Sequence, residues 1–100
     1  MAAQNSIKKD LENAGRQIDA LNRLYNVYFQ GGEDDPPRPQ RQALDNIIVT
    51  IKSQLPSLPN ASDKFQANSV ISRYQIVTAK WDKTLRGIEQ GTIVRPKKRQ

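Results

Sequence analysis

The side chains with catalytic or metal-binding potential in this chain are mainly carboxylates and serines, because the sequence contains neither histidine nor cysteine. These absences remove the commonest general base, the commonest metal ligand and any thiolate nucleophile. The serines therefore have no histidine to activate them. The acidic run Glu33-Asp34-Asp35 could hold magnesium, but three adjacent acids in a loop are usually just solvated. We expect no enzymatic activity, no metal ion, no cofactor and no small-molecule substrate.

Basic residues form the second group with possible chemistry. The formal net charge is +6, and the basic residues of the C-terminal tail are Arg95, Lys97, Lys98 and Arg99, with no acid among the residues from 92 to 100. Such a tail could clamp nucleic-acid phosphates nonspecifically, and four contacts give a log–log salt slope of roughly -3 to -4. Further basic residues on one face of the third predicted helix could extend the clamp: Arg73, Lys80 and Lys83. A solvated face is the simpler interpretation of these three.

Length and composition indicate one small domain with a thin core. The chain has 100 residues, 36% of them hydrophobic, and a mean hydropathy of -0.76. A helical arrangement suits this supply, because each helix needs only one apolar stripe. The N-terminus lacks the pattern of a signal peptide, and no apolar stretch approaches the ~18 residues that span a bilayer. We therefore expect a cytoplasmic protein without a membrane span.

Two long stretches carry an unbroken heptad pattern, with apolar residues alternately four and three positions apart. The first set is Ile7, Leu11, Ala14, Ile18, Leu21, Tyr25 and Tyr28. The second set is Ala67, Ile71, Tyr74, Thr78, Trp81, Leu85 and Ile88. A shorter apolar stripe lies between them, at Leu44, Ile47, Ile48, Ile51 and Leu55. The chain is therefore predicted to be all-α, with three helices.

Capping residues and helix breakers set the expected helix ends. Helix 1 is predicted to begin at Asn5 or Ser6 and to end at Gly31-Gly32. Helix 2 is predicted from about Pro39 to the proline-containing stretch 56–59, and helix 3 from a cap at Asn60 or Ser62 to Gly91. We expect a single three-helix domain over 1–91 and a disordered basic tail over 92–100.

The sizes of the heptad residues favour a long antiparallel hairpin of helices 1 and 3, with the shorter helix 2 packed across one end. Trp81 would then face Ala14 and Gly15, so that the largest side chain fills the space left by the smallest. The competing arrangement is an up-down-up bundle with helices 1 and 3 parallel. In that bundle helix 2, which spans only ~25 Å, would be too short to cover its neighbours.

Without groups for catalysis, the sequence favours a non-catalytic interaction module, an adaptor or scaffold that binds a partner helix or self-associates. Phe29 lies off the heptad at the end of helix 1 beside Tyr28, and Val49 lies off the stripe of helix 2. Exposed aromatic residues commonly anchor interfaces, so these three residues are predicted to contact a protein partner or a second copy. The alternative is the nucleic-acid clamp described above.

A scattered set of residues resembles short helical segments of uncharacterised bacterial proteins of the deltaproteobacterial type, over roughly residues 5–93. The matching positions are Tyr28-Phe29, Gly31-Gly32, Pro36-Pro37, Arg41, Leu44-Asp45, Phe65, Asn68-Ser69, Tyr74, Trp81, Leu85-Arg86 and Ile88-Glu89-Gln90-Gly91. This resemblance implies a bacterial, intracellular helical module and brings no activity with it.

Overall fold

Three helices form the structure, a computed structural model that describes the backbone of residues 2–96 and the side-chain environment of residues 7–96. Helix α1 is Ala2–Phe29, α2 is Arg38–Gln54 and α3 is Ala61–Gln90, with a short 3₁₀ helix at Leu55–Ser57. No strand occurs among the residues described. The predicted all-α class with three helices is confirmed, as is the packing of α1 with α3 and of the shorter α2 with both.

The heptad patterns are the buried faces of the helices, as predicted. All seven heptad residues of α1 are buried, from Ile7 to Tyr28. In α2 the buried residues are Leu44, Ile48 and Ile51. In α3 Ala67, Ile71, Thr78 and Trp81 are buried, while Tyr74 and Leu85 are partly buried and pack against the core. The core is therefore a single thin column between three helices.

The direction assigned to α1 and α3 is wrong, because the two helices run parallel. Asp19 of α1 pairs with Arg73 of α3, and Tyr25 stacks on Trp81 with ring centroids 4.6 Å apart. The contacts thus advance toward the C-terminus on both helices together. Helix α2 runs the opposite way between them, which makes the fold an up-down-up bundle.

The apparent shortness of α2 is made up by the segment that follows it. Helix α2 has 17 residues, or about 25 Å, and the chain then continues downward through the 3₁₀ helix and the extended residues Leu58 and Asn60. The whole descent covers about 40 Å, close to the ~42 Å of the 28-residue α1. Leu58 is buried, so this non-helical segment also closes the core.

The predicted contact between Trp81 and Gly15 does not exist. No atom lies within 4 Å of the position that a Cβ on Gly15 would occupy, while Trp81 lies further along α1, against Tyr25. Matching the large Trp81 to the small Gly15 assumed antiparallel helices. Because α1 and α3 are parallel and aligned from their N-terminal ends, Trp81 meets a residue near the C-terminal end of α1 instead. Gly15 therefore has no packing role in the fold.

Both long helices end with the same glycine motif. Gly31 and Gly91 have φ values of 82° and 81°, a backbone conformation that favours glycine. In α1 the amide of Gly32 donates to the carbonyl of Val27 at 2.8 Å, and in α3 the amide of Thr92 donates to that of Gly87 at 2.9 Å. The predicted C-terminal ends are thus confirmed, and so is the Asn60 cap, whose side chain accepts from the Asp63 amide at 2.8 Å. The predicted start of helix 1 at Asn5 or Ser6 is wrong, because α1 begins at Ala2.

The chain beyond Gly91 remains in contact with the bundle as far as the structure describes it. The amide of Ile93 donates to the carbonyl of Gly87 at 3.0 Å, and the Arg95 guanidinium binds the end of α1. Over residues 92–96 these contacts disagree with the prediction of a disordered tail. For Lys97, Lys98 and Arg99, which lie outside the described residues, it stays a prediction.

Replacement of Gly15 by alanine is expected to stabilise the protein by about 0.5–1 kcal/mol, since glycine costs this much inside a helix and the added methyl meets nothing. Chemical denaturation would measure the change. The matched control is Gly31→Ala, which should destabilise because alanine is strained at positive φ. Destabilisation by Gly15→Ala would instead indicate a bulky neighbour at Gly15, as in the antiparallel arrangement.

Candidate functional site

A hydrogen-bonded cluster around Trp81 joins all three helices. The indole N–H of Trp81 donates to Oδ1 of Asn22 at 3.1 Å, and the ring is 1% exposed. Its face stacks on Tyr25, whose hydroxyl accepts from Arg41 at 3.3 Å. The guanidinium of Arg41 lies 5.8 Å from the centre of the indole ring. A buried tryptophan thus has its hydrogen bond satisfied and a cation beside it.

Ion pairs extend this cluster outward. Arg41 forms two hydrogen bonds to the carboxylate of Asp82, at 3.1 and 3.3 Å, and also contacts Asp45 at 3.4 Å. Arg41 and Asp45 thus form an i,i+4 pair along α2. Burial opposes the charge of Arg41, but its hydrogen bonds to Asp82 and Tyr25 outweigh that effect and raise its pKa.

Asp45 in turn accepts a hydrogen bond from the hydroxyl of Tyr74 at 2.6 Å. Burial and this contact with the carboxylate raise the pKa of Tyr74 to about 12, against a smaller opposing effect of the Arg41 charge. The cluster therefore holds Tyr74 in its neutral form. Its hydrogen bonds and ion pairs thus link α1, α2 and α3 to one another.

Neither a metal-binding cluster nor an unsatisfied buried polar side-chain atom occurs among the described residues. No group of three or more acidic side chains that could hold a metal ion occurs within the described part of the chain. Every buried side-chain nitrogen and oxygen in that part has a hydrogen-bond partner.

The outer face of α3 is the surface that stands out as unpartnered. Phe65 is 72% exposed and Ile76 is 69% exposed, far more than apolar residues of the core. Between them lie the small side chains Ser69 and Ser72, so that the face forms a shallow groove of about 490 Å³. These positions follow the same spacing of four and three residues as the buried face, on the opposite side of the helix. We call this surface the outer groove.

The C-terminal half of the same face is basic. Lys80, Lys83 and Arg86 are exposed, and among the described residues none of them forms a salt bridge. Arg73 lies beside the groove but pairs with Asp19, in contrast to its expected unpaired state. The outer face of α3 is thus apolar in its first half and positively charged in its second.

The three residues predicted to contact a partner do not form one surface. Tyr28 is buried, and Phe29 is partly buried and stacks on Tyr25 at 5.6 Å. Val49 is 65% exposed but lies on α2. It is eight positions, or about 12 Å, beyond Arg41, the α2 residue that contacts Tyr25 near the end of α1. Tyr28 and Phe29 therefore act mainly in the core, whereas Val49 stands alone on its helix.

The residues predicted to bind nucleic acid are also divided. The guanidinium of Arg95 donates to the carbonyls of Tyr28 at 2.9 Å and Glu33 at 2.6 Å, and it lies 4.1 Å above the Tyr28 ring. It thus caps the negative end of α1 and has an internal partner. Lys80 and Lys83 are exposed on the face described above, and Lys97, Lys98 and Arg99 lie outside the described residues.

Sequence analysis missed both the Trp81 cluster and the outer groove. Phe65 and Ile76 lie outside the heptad pattern from which the buried face of helix 3 is predicted. The sequence does carry a signal for the outer groove. Phe65, Ser69, Ser72 and Ile76 repeat the spacing of four and three residues on the side of α3 opposite the buried residues Ala67 and Trp81. The Arg41–Asp82 pair had no sequence signal, because its members are 41 positions apart.

Replacement of Tyr74 by phenylalanine should remove one tyrosine that ionises at a pH of about 12, as followed by ultraviolet absorbance. Because the unfolded pKa is about 10, the wild-type stability should fall as the pH rises from about 10 to about 12. The variant should lose this part of the pH dependence. Disappearance of an ordinary tyrosine titration instead would contradict the contact with Asp45.

No helix within residues 2–96 combines the length and apolarity needed to cross a membrane. Comparison of the chain with protein-family models, curated proteins and solved structures finds no match in any of the three. The surfaces described above are therefore the basis for inferring what this protein does.

Proposed function

We propose that this protein is a non-catalytic helical interaction module that binds a partner helix along the outer groove of α3. The observation that carries this proposal is the exposure of Phe65 and Ile76 on the side of α3 opposite the core. Surface apolar residues are ordinary singly, but these two large side chains lie on one line of the helix, with only the small side chains Ser69 and Ser72 between them on that line.

The shape of the groove supports a helix as its occupant. Ser69 and Ser72 lie in its floor, between the larger Phe65 and Ile76. Small residues allow two helix axes to come within the 8–10 Å of ordinary helix packing. The larger side chains would then act as anchors at either end, which is the arrangement expected of a helix-in-groove contact.

The nucleic-acid clamp remains the second hypothesis, with less support than the sequence alone suggested. Arg95, one of its four tail residues, is engaged with the end of α1, so fewer free cations remain for phosphate contacts. A cytoplasmic, bacterial setting and an adaptor or scaffold role remain predictions from the sequence, as does self-association.

A selection of helical peptides from a display library would test the proposal. Peptides enriched on the wild-type chain should lose at least about tenfold in affinity, roughly 1.4 kcal/mol, when Phe65→Asp and Ile76→Asp are combined. Both positions are exposed, so these changes should leave the helical circular dichroism intact.

Val49→Asp is the control on a second surface, because it places a single aspartate on a similarly exposed apolar residue of α2. Binding should survive this substitution. Equal losses at both surfaces, or enrichment of no helical peptide, would show that the outer groove is not the binding surface.

A further inference from the structure

We propose that the partner of the outer groove is an amphipathic helix whose apolar stripe is flanked by acidic residues at the end lying over Lys80, Lys83 and Arg86. This inference rests on the proposed function and adds the charge of the partner to it. An apolar anchor region and a charged region on one helix face together define both the shape and the sign of the occupant.

The distribution of charge along α3 carries this inference. From residue 64 to residue 86 the only acidic residue of the helix is Asp82, and it is paired with Arg41. Lys80 and Lys83 continue the line of Phe65 and Ile76 along the helix at the same spacing. A helix that follows the groove toward the C-terminus therefore meets positive charge directly beyond the apolar anchors.

A second copy of this chain fits the face less well. Two copies packed antiparallel about a two-fold axis between Ser69 and Ser72 would place Phe65 of each opposite Ile76 of the other. That contact is only about 17 Å long. It would also leave the basic half of the face outside the contact.

Two synthetic helical peptides would test the charge of the partner. Both would carry leucines at positions a and d over about 30 Å of helix, with glutamate at the flanking e and g positions of one and lysine in the other. Fluorescence anisotropy should show the glutamate peptide binding at least about tenfold more tightly, with a preference that shrinks as salt is added.

Paired variants assign the preference to the proposed residues. Lys80→Glu with Lys83→Glu should remove or reverse the preference for the glutamate peptide. Lys8→Glu with Lys9→Glu makes the same change in net charge on an exposed part of α1 and should preserve it. Loss of the preference in both double variants would mean that only net charge is recognised, which overturns the inference.

The remaining outcomes separate this inference from the proposed function. Equal binding of both peptides, abolished by Phe65→Asp with Ile76→Asp, overturns the acidic partner but supports a helix-binding groove. A dimer of the wild-type chain in sedimentation, dissociated by the same double variant, also overturns the acidic partner and supports a helix-binding groove. The occupant is then a second copy of this chain. Binding of neither peptide, whether or not a single-stranded RNA binds through Lys80 and Lys83, overturns both.

Discussion

The packing of Trp81 is the contact on which the arrangement of this bundle depends. Its ring stacks on Tyr25 of α1, its N–H is held by Asn22, and Arg41 of α2 lies beside it. An aromatic pair contributes about 0.5–1.5 kcal/mol beyond its buried area, and an indole N–H without a partner would cost about 1–3 kcal/mol. Any other register of α3 on α1 would lose both contacts, so Trp81 fixes the alignment of the two helices, and the Asp19–Arg73 pair is compatible only with the parallel direction.

The parallel arrangement has two consequences for the rest of the chain. It brings the C-terminal ends of α1 and α3 together, which lets the segment after Gly91 return to α1 and place Arg95 on the carbonyls of Tyr28 and Glu33. It also puts α2 on one side of both long helices. The face of α3 opposite the core is then left uncovered from Phe65 to Lys83.

Much of the fold could be predicted because it depends on local patterns. The heptads, the Asn60 cap and the glycine ends of α1 and α3 all act within a few residues of themselves, so their signals survive without knowledge of the tertiary structure. Direction and register could not be predicted in the same way. Matching Trp81 to Gly15 by size treated one pair in isolation, whereas the structure satisfies the ring, its N–H and the Arg41 ion pairs together.

The sequence by itself determined the helical class, the C-terminal ends of α1 and α3, the heptad stripe of each long helix and the lack of histidine and cysteine. These follow from residue type and from periodicity along one chain. Only the tertiary structure decided that α1 and α3 are parallel, that Arg95 is an internal cap and that Phe65 and Ile76 face outward. Each of these depends on which distant residues meet, and a two-sided apolar helix such as α3 does not show in its own sequence which side will be covered.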